Sequence, residues 1–266
     1  MVKYIVSKGW EGFGDRIQCL SSCLVMALRF NRTLYVDWND TIWSEGFYKY
    51  FYFEDVPYIT SQKEIPNYLD VYPSFWQHKL MLPGNNWLYD MKDDLLLDPM
   101  KGYNFQDVWV HPGIGYREYN LVLLSKHMRV NKEIAKKIVT KPITDLPLVH
   151  LRGTDRKVDE YKWQELREKA PAAVVLSDDK TLIDRWMKES PKSRLFSKPK
   201  ANVNHFTVKD INKHEMNLAL LRDFFALASA TEAHALNIES QYFIMARMLG
   251  KMPDYEKMFT GNPTAF

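Results

Sequence analysis

Residues 146–250 contain short apolar runs that alternate with segments whose apolar residues recur at the spacing of an α-helix. This alternation predicts a parallel β-sheet covered by helices on both faces. The predicted strands are Leu146–Leu151, Ala172–Leu176, Leu195–Phe196 and His234–Ile238, and the predicted helices are Tyr161–Ala170, Lys180–Glu189, Lys213–Ala230 and Ser240–Leu249, the last ended by Gly250. Ligands of such sheets bind outside the carboxyl ends of the strands, so we expect the loops at those ends to form the site.

The first 40 residues have the pattern of another strand–helix–strand unit. The predicted elements of the first half are a strand at Tyr4–Val6, a loop at Gly9–Gly14, a helix at Arg16–Phe30, a strand at Thr33–Val36 and a short helix at Asn131–Val139. From Trp38 to Tyr119 the pattern is irregular and rich in aromatic residues, which we expect to pack mostly in the core. Two prolines in Lys141–Pro147 mark a boundary between residues 1–140 and residues 141–266.

Charge and cysteine content exclude several classes of protein. The 266 residues carry a formal net charge of only +3, and the basic residues are dispersed, which disfavours nucleic acid as the main partner. No run approaches the roughly 18 uninterrupted apolar residues of a membrane-spanning helix. Cys19 and Cys23 lie four apart on a predicted helix, where disulfide geometry is poor, and neither has an identifiable basic partner. Two free thiols suit a reducing compartment, so we expect a soluble, cytoplasmic protein.

The strongest local motif is His150-Leu-Arg-Gly-Thr-Asp-Arg156, which leaves the first strand of the second half. An arginine at this position, Arg152, can project a planar and permanently charged fork that binds phosphate through two hydrogen bonds. Asp155 can organise the turn by accepting backbone N–H groups. In the competing interpretation the arginine and the aspartate of this loop pair with each other.

A second motif, Gly12-Phe-Gly-Asp-Arg16, follows a predicted strand and precedes a helix. Small residues there let a phosphate or sugar approach the N–H groups at the start of the helix. The third glycine of the dinucleotide fingerprint is missing because Ile17 occupies its place. The signal is weak by itself, and a plain tight turn is the simpler interpretation.

Several carboxylates occupy positions that serve either capping or binding. Asp178 and Asp179 lie between a strand and a helix, where one can cap the helix while the other recognises a guanine edge or a ribose hydroxyl. Asp223 lies at the edge of an apolar helix face, where exposure to water is the simpler interpretation. Glu239-Ser-Gln241 opens the last helix and can cap it or bind a ligand. The histidines are scattered, so metal binding is not expected.

Taken together, these segments resemble the family of bacterial NodZ-type and eukaryotic α-1,6-fucosyltransferases. The similar segments are Gly12-Phe-Gly-Asp15 with the helix after it, Arg32-Thr-Leu-Tyr-Val-Asp-Trp38, His150–Arg156 against the family's His-x-Arg-Arg-Thr-Asp-Lys, Val175-Leu-Ser-Asp-Asp179, the helix bearing Asp223, and Glu239-Ser-Gln241. The resemblance covers residues 1–40 and 146–250. It implies an α/β fold with two Rossmann-like domains facing across a cleft, as in GT-B glycosyltransferases, with residues 1–140 on the acceptor side and residues 141–266 binding the nucleotide-sugar donor.

The resemblance also implies a reaction, namely inverting, metal-independent transfer of fucose or a related deoxyhexose from a GDP-sugar to a glycan, with no further cofactor. Arg152 matches the arginine that holds the donor pyrophosphate, and Glu160 falls at the position of the proposed general base. The positions that match or adjoin guanosine-binding residues are His150, Asp179, Asp223 and Ser240. The complete candidate sets are Arg152, Glu160 and Asp155 for catalysis, and Gly12, Phe13, Gly14, His150, Arg152, Asp178, Asp179, Asp223, Glu239, Ser240 and Gln241 for donor binding, with no metal ligand.

Two departures from the family pattern keep other functions open. Gly153 replaces the second arginine of the motif, and Glu239 replaces a small hydroxyl residue near the donor. These changes allow a nucleotide-sugar-binding or lectin-like protein that has lost catalysis. A metal-dependent transferase of GT-A type, using Asp178 and Asp179, is the third alternative.

Overall fold

The structure is a computed structural model, and it describes residues 2–9, 12–40, 43–82, 106–111, 119–139, 143–153, 157–197 and 212–260. Contacts divide the chain into two compact units, of which the first contains residues 1–135 and 252–266 and the second residues 136–251. The sequence pattern assigns residues 252–266 to the second half. They group with the first unit because the 3-10 helix Glu256–Phe259 packs on a helix and a strand of that unit.

A parallel sheet forms the centre of the first unit. Its strands lie in the order Thr33–Asp37 (β2), Tyr4–Lys8 (β1), Val108–His111 (β5) and Val71–Tyr72 (β4), and all three pairings are parallel. The elements of this unit are β1 Tyr4–Lys8, α1 Phe13–Arg29, β2 Thr33–Asp37, β3 Phe51–Phe53, β4 Val71–Tyr72, β5 Val108–His111, α2 Leu121–His127 and β6 Met128–Val130, while α3 Lys132–Ile138 crosses the boundary between the units. Every residue of β1 and β5 is buried, as expected for strands covered on both faces. Strands β3 and β6 form a separate antiparallel pair.

Helix α1 begins at Phe13, three residues before the predicted start at Arg16. The prediction was wrong here because Gly14, in the first turn, carries no apolar side chain that could extend the helical pattern. The Phe13 ring is 3% exposed and stacks on Trp43 at a centroid distance of 5.7 Å. Core packing is confirmed for Trp43 and Phe47, which are both buried and both contact Trp38 edge-on.

The second unit contains the predicted parallel sheet, with strands in the order Ala233–Ala235 (β10), Leu148–Leu151 (β7), Val174–Ser177 (β8) and Arg194–Leu195 (β9). Its strands are β7 Leu148–Leu151, β8 Val174–Ser177, β9 Arg194–Leu195 and β10 Ala233–Ala235, and its helices are α4 Glu160–Lys169, α5 Lys180–Glu189, α6 Lys213–Ser229 and α7 Gln241–Leu249. The predicted alternation of strands and helices is confirmed, although β10 ends three residues before the predicted Ile238. None of the helices in the described ranges has the length and apolar character that a membrane span requires.

Gly250 follows the last residue of α7, as predicted, and close packing favours glycine at this position. Its φ of −62° is ordinary for any residue. A Cβ atom at this position would lie 1.9 Å from the carbonyl oxygen of Ala228 in α6. The glycine therefore permits the close approach of α6 to the end of α7.

Replacing Gly250 by Ala should lower the free energy of unfolding by about 1–3 kcal/mol or more, because the backbone of α6 has to move to make room for the methyl group. Gly46→Ala is the matched control, since Gly46 also has a negative φ, −64°, and no atom lies within 4 Å of the point that the new methyl group would occupy. That control should leave stability unchanged or raise it by about 0.4–1 kcal/mol. Urea denaturation measures both, and equal effects would contradict the packing role of Gly250.

Candidate functional site

Three loops meet at the carboxyl edge of the second sheet. The Gly153 N–H, after β7, donates to Asp178 Oδ1, after β8, at 3.0 Å. The Asn237 side chain, after β10, donates to the carbonyl of Arg152 at 3.1 Å. These loops come together because β7 pairs in parallel with both β8 and β10, so all three strands end at the same edge.

Arg152 connects β7 to the start of the last helix. Its guanidinium donates to the Ser240 hydroxyl at 3.3 Å, and Ser240 is the buried residue directly before α7. The first turn of α7 contains no acidic residue, and the N–H groups of a first helical turn have no partner within the helix. A permanent cation and the positive end of a helix dipole thus lie side by side, which is the arrangement that binds phosphate.

The neighbours of Ser240 differ in accessibility. Glu239 is exposed and lies before the helix rather than in it. Gln241 is the first residue of α7 and is half-buried. Ser240 of this predicted trio contacts Arg152.

His150 lies beneath this edge as a neutral ring. Its side chain is buried, and its ring is parallel to that of Phe243, with centroids 6.4 Å apart, and tilted against that of Tyr242 at 5.5 Å. Burial lowers the pKa of His150 to about 4, opposed by the charge of Asp178 and assisted by that of Arg152. The buried Nδ1 atom has no hydrogen-bond partner among the described residues. A neutral imidazole of this kind offers one donor and one acceptor to a ligand.

The two aspartates after β8 make different contacts. Asp179 caps α5, because its Oδ1 accepts from the backbone N–H groups of Thr181 at 2.7 Å and Leu182 at 3.3 Å. Capping is therefore confirmed for Asp179. Asp178 instead lies at the loop junction, where it accepts from Gly153.

Gly153 lies close to the start of α5. A Cβ atom there would lie 2.5 Å from Leu182 Cδ1 and 2.7 Å from Asp179 Oδ2. Both side chains would have to shift to admit a larger residue at this position, where the family motif has its second arginine.

Asp223 is half-buried, so the interpretation of this residue as an exposed carboxylate is wrong. Its Oδ1 atom accepts a hydrogen bond from the Ser197 hydroxyl at 3.1 Å. Burial raises the pKa of Asp223 to about 7, against the lowering effects of Ser197 and of the charge of Arg222. A carboxyl group with this pKa changes its charge near neutral pH.

Glu160 forms a bidentate ion pair. The Arg185 guanidinium donates to Glu160 Oε1 at 2.8 Å and to Oε2 at 2.5 Å, at an exposed position on the outside of α4 and α5. These hydrogen bonds lower the pKa of Glu160. The cap of α4 is Asp159, which accepts from the N–H groups of the first turn. Asp155, the other predicted catalytic carboxylate, lies outside the described residues.

The glycine loop of the first unit is organised by polar contacts that the sequence did not reveal. Gly12 is the residue before α1, Gly14 is buried, and the Phe13 ring belongs to the core. Arg16, one turn into the helix, is paired with the Asp40 carboxylate and donates to the Gly9 carbonyl at 2.9 Å. Only the backbone of residues 12–14 is therefore suited to binding at this position.

The expectation that neither cysteine has a basic partner is wrong. His111, 92 residues along the chain from Cys19, places Nδ1 3.6 Å from the Cys19 sulfur. Burial raises the pKa of Cys19, but hydrogen bonds from Cys23, His111 and Ser7 together with the charge of His111 outweigh it and lower this pKa well below its ordinary value. Burial and the hydrogen bond to Cys19 raise the pKa of Cys23. A histidine at the end of an apolar strand was the available signal, but the order of the strands was unknown.

Comparison with known proteins identifies the fold. Neither a protein-family model nor a curated protein sequence matches the chain. The chain is similar to the NodZ α-1,6-fucosyltransferase soaked with GDP-fucose, with a TM-score of 0.69 and 16% identity over 94% of this chain and 93% of that one. Fucosyltransferase NodZ from Bradyrhizobium, as its selenomethionine form, gives a TM-score of 0.70 at 18% identity over 94% and 92%. An arginine-to-lysine mutant of Arabidopsis thaliana FUT1 in complex with GDP gives 0.57 at 11% identity over 95% and 69%. The chain thus has a fucosyltransferase-like α/β fold, which confirms the resemblance drawn from the sequence motifs.

Asp223→Asn should change how stability depends on pH. The folded state keeps the Asp223 proton up to a pH of about 7, whereas the unfolded chain releases it near the ordinary value of 3.8. The wild type should therefore lose stability relative to the variant as the pH rises from about 4 to about 7. Melting temperatures from pH 4 to 8 test this, with the exposed Asp184→Asn as control. Parallel curves for the wild type and Asp223→Asn would contradict the burial of this carboxyl group.

Proposed function

We propose that the chain is an inverting, metal-independent glycosyltransferase that moves fucose or a related deoxyhexose from a GDP-sugar to a glycan acceptor. In this proposal the two units are the two Rossmann-like domains of a GT-B-type enzyme, and the second unit binds the donor. One observation carries it, namely the contact of the Arg152 guanidinium with Ser240 at the start of α7. The fold supports the same class of enzyme, because NodZ structures contain GDP or were soaked with GDP-fucose.

The charge at this edge of the sheet suits the departure of a nucleoside diphosphate. When the bond between the sugar and the β-phosphate breaks, negative charge develops on the phosphate oxygens. The Arg152 guanidinium and the first N–H groups of α7 are positioned to stabilise that charge, since both are held in place before the reaction. This positive end of the site replaces the cation that a metal-dependent transferase uses.

The side chains around His150 bind the nucleoside of the donor. The partnerless Nδ1 of that neutral ring can bond a ribose hydroxyl or a base. Asp178 at the end of β8 and Asp223 on α6 both offer carboxyl oxygens to the N–H groups of a guanine edge. The Tyr242 ring packs on His150, and its hydroxyl donates a hydrogen bond to the Leu220 carbonyl at 2.7 Å. Tyr242 therefore forms a fixed wall of this part of the site.

The contacts of Glu160 favour an ion-pair role over the role of general base. A carboxylate held by two hydrogen bonds from Arg185, with its pKa lowered, accepts a proton less readily than an unpaired one. Asp159 is occupied as a helix cap. We therefore assign the acceptor base to Asp155, the remaining carboxylate of the same loop.

Donor binding should appear as a change in thermal stability. GDP and GDP-fucose should raise the melting temperature, because a ligand at about 100 times its Kd stabilises the folded state by about 2.7 kcal/mol. UDP and CMP compounds should have little effect. Turnover of GDP-fucose with a glycan acceptor should persist in EDTA. Stabilisation by UDP compounds instead would overturn the donor assignment, and binding without turnover would favour the catalytically inactive alternative.

The same assay tests the residue on which the proposal rests. Arg152→Lys should cut turnover by about 100-fold or more, because a lysine cannot reproduce the planar fork. The melting temperature without ligand should change little. Arg167→Lys, on the outer helix α4 of the same unit, is the matched control and should keep turnover. Equal turnover in the two variants would remove Arg152 from the chemistry, and activity that EDTA abolishes and Mg²⁺ or Mn²⁺ restores would favour the GT-A alternative.

Conservative amide variants distinguish the carboxylates of the loop. Glu160→Gln should bind the donor and keep turnover within a few-fold, whereas Asp155→Asn should bind the donor and lose most turnover. Arg185→Gln is the control for the ion pair, since it frees Glu160 and restores its basicity. If Glu160 were the base, Glu160→Gln would abolish turnover and Arg185→Gln would preserve or raise it.

A further inference from the structure

Two thiols and an imidazole meet inside the first unit. Cys19 and Cys23 lie on α1 and are 0% exposed, and His111 is the last residue of β5 and is 3% exposed. One ligand atom from each of these residues lies within 4.8 Å of the other two. The Ser7 hydroxyl completes the cluster at 3.3 Å from the Cys19 sulfur.

The fold holds this cluster together from three separate parts of the sequence. Ser7 of β1 and His111 of β5 are paired residues in neighbouring parallel strands. Cys19 and Cys23, four residues apart, project from the same side of α1, which packs on β1. The free thiols are therefore fixed in position by a strand pair and a helix, as the ligands of a structural metal site are.

We propose that Cys19, Cys23 and His111 bind a Zn²⁺ ion, with the Ser7 hydroxyl facing the fourth position. Two thiolates and one imidazole are a donor set that suits zinc. A tetrahedral zinc ion with bonds of about 2.3 Å to sulfur and about 2.0–2.1 Å to nitrogen separates those two atoms by about 3.6 Å. The distance between the Cys19 sulfur and His111 Nδ1 is 3.6 Å.

Charge and burial agree with this assignment. Two thiolates neutralise the dication, so the loaded site carries no net charge into the core. All three ligands and the Ser7 hydroxyl that faces the fourth position are buried, so the site is closed to solvent, as structural zinc sites are. The ion would bind during folding and cross-link α1 to the end of β5. The site lies in the first unit and is independent of the proposed donor chemistry in the second.

Zinc content tests the proposal directly. The full chain is refolded under reducing conditions with ZnCl₂, freed of loose metal by a brief chelator wash, and measured by elemental analysis. The wild type should keep about one zinc ion per chain, and Cys19→Ser and Cys23→Ser should lose it. His127→Gln, which changes another buried histidine of the same unit, is the matched control and should keep the metal.

A second measurement needs only the wild-type protein, so the proposal can be tested even if the cysteine variants fail to fold. Refolding with Co²⁺ in place of Zn²⁺ should produce the near-ultraviolet thiolate-to-cobalt absorption and the visible bands of a tetrahedral site. A wild-type protein that keeps neither zinc nor these bands overturns the proposal. Zinc retained in both cysteine variants also overturns it, because the ion would then lie elsewhere.

Discussion

The central position of β7 in the second sheet is the constraint on which the candidate site depends. Parallel pairing with β8 on one side and β10 on the other brings three loops to one edge. Arg152, Asp178 and Ser240 therefore meet although they lie up to 88 residues apart in the chain. A shift of the register by one residue would move the side chain of His150 to the other face of the sheet and dismantle the arrangement.

The motif loop after β7 fits closely against the start of α5. Gly153 passes within contact distance of Asp179, the cap of α5, and its N–H donates to Asp178. A side chain at this position would require Leu182 and Asp179 to shift. Among the described residues, the positive charge at this edge comes from Arg152 and from the start of α7, whose backbone N–H groups are suited to phosphate.

The two sheets use the polar residues at their carboxyl ends differently. In the first sheet these residues pair with other groups of the protein. Lys8 at the end of β1 forms a buried ion pair with Asp37 at the end of β2. The Lys8 ammonium also donates a hydrogen bond to the Leu82 carbonyl at 2.7 Å. Burial lowers the pKa of Lys8, and the charge of Asp37 opposes that effect. In the second sheet His150 keeps a buried nitrogen without a partner among the described residues. Internal pairing stabilises a core, whereas a buried polar atom without a partner is costly unless a ligand binds it, because it has lost its hydrogen bonds to water.

The local features could be predicted from the sequence alone, namely the alternation of strands and helices in residues 146–250, a helix cap at Asp178 or Asp179 and the arginine at the end of β7. Each of these depends on spacing along the chain, so no knowledge of the fold was needed. The tertiary structure alone decided which distant side chains meet. The pairing of Glu160 with Arg185, the burial of Asp223 and the meeting of Cys19 with His111 depend on strand order and helix packing. Charges and pKa values respond to neighbours in space, and a linear pattern does not contain those neighbours.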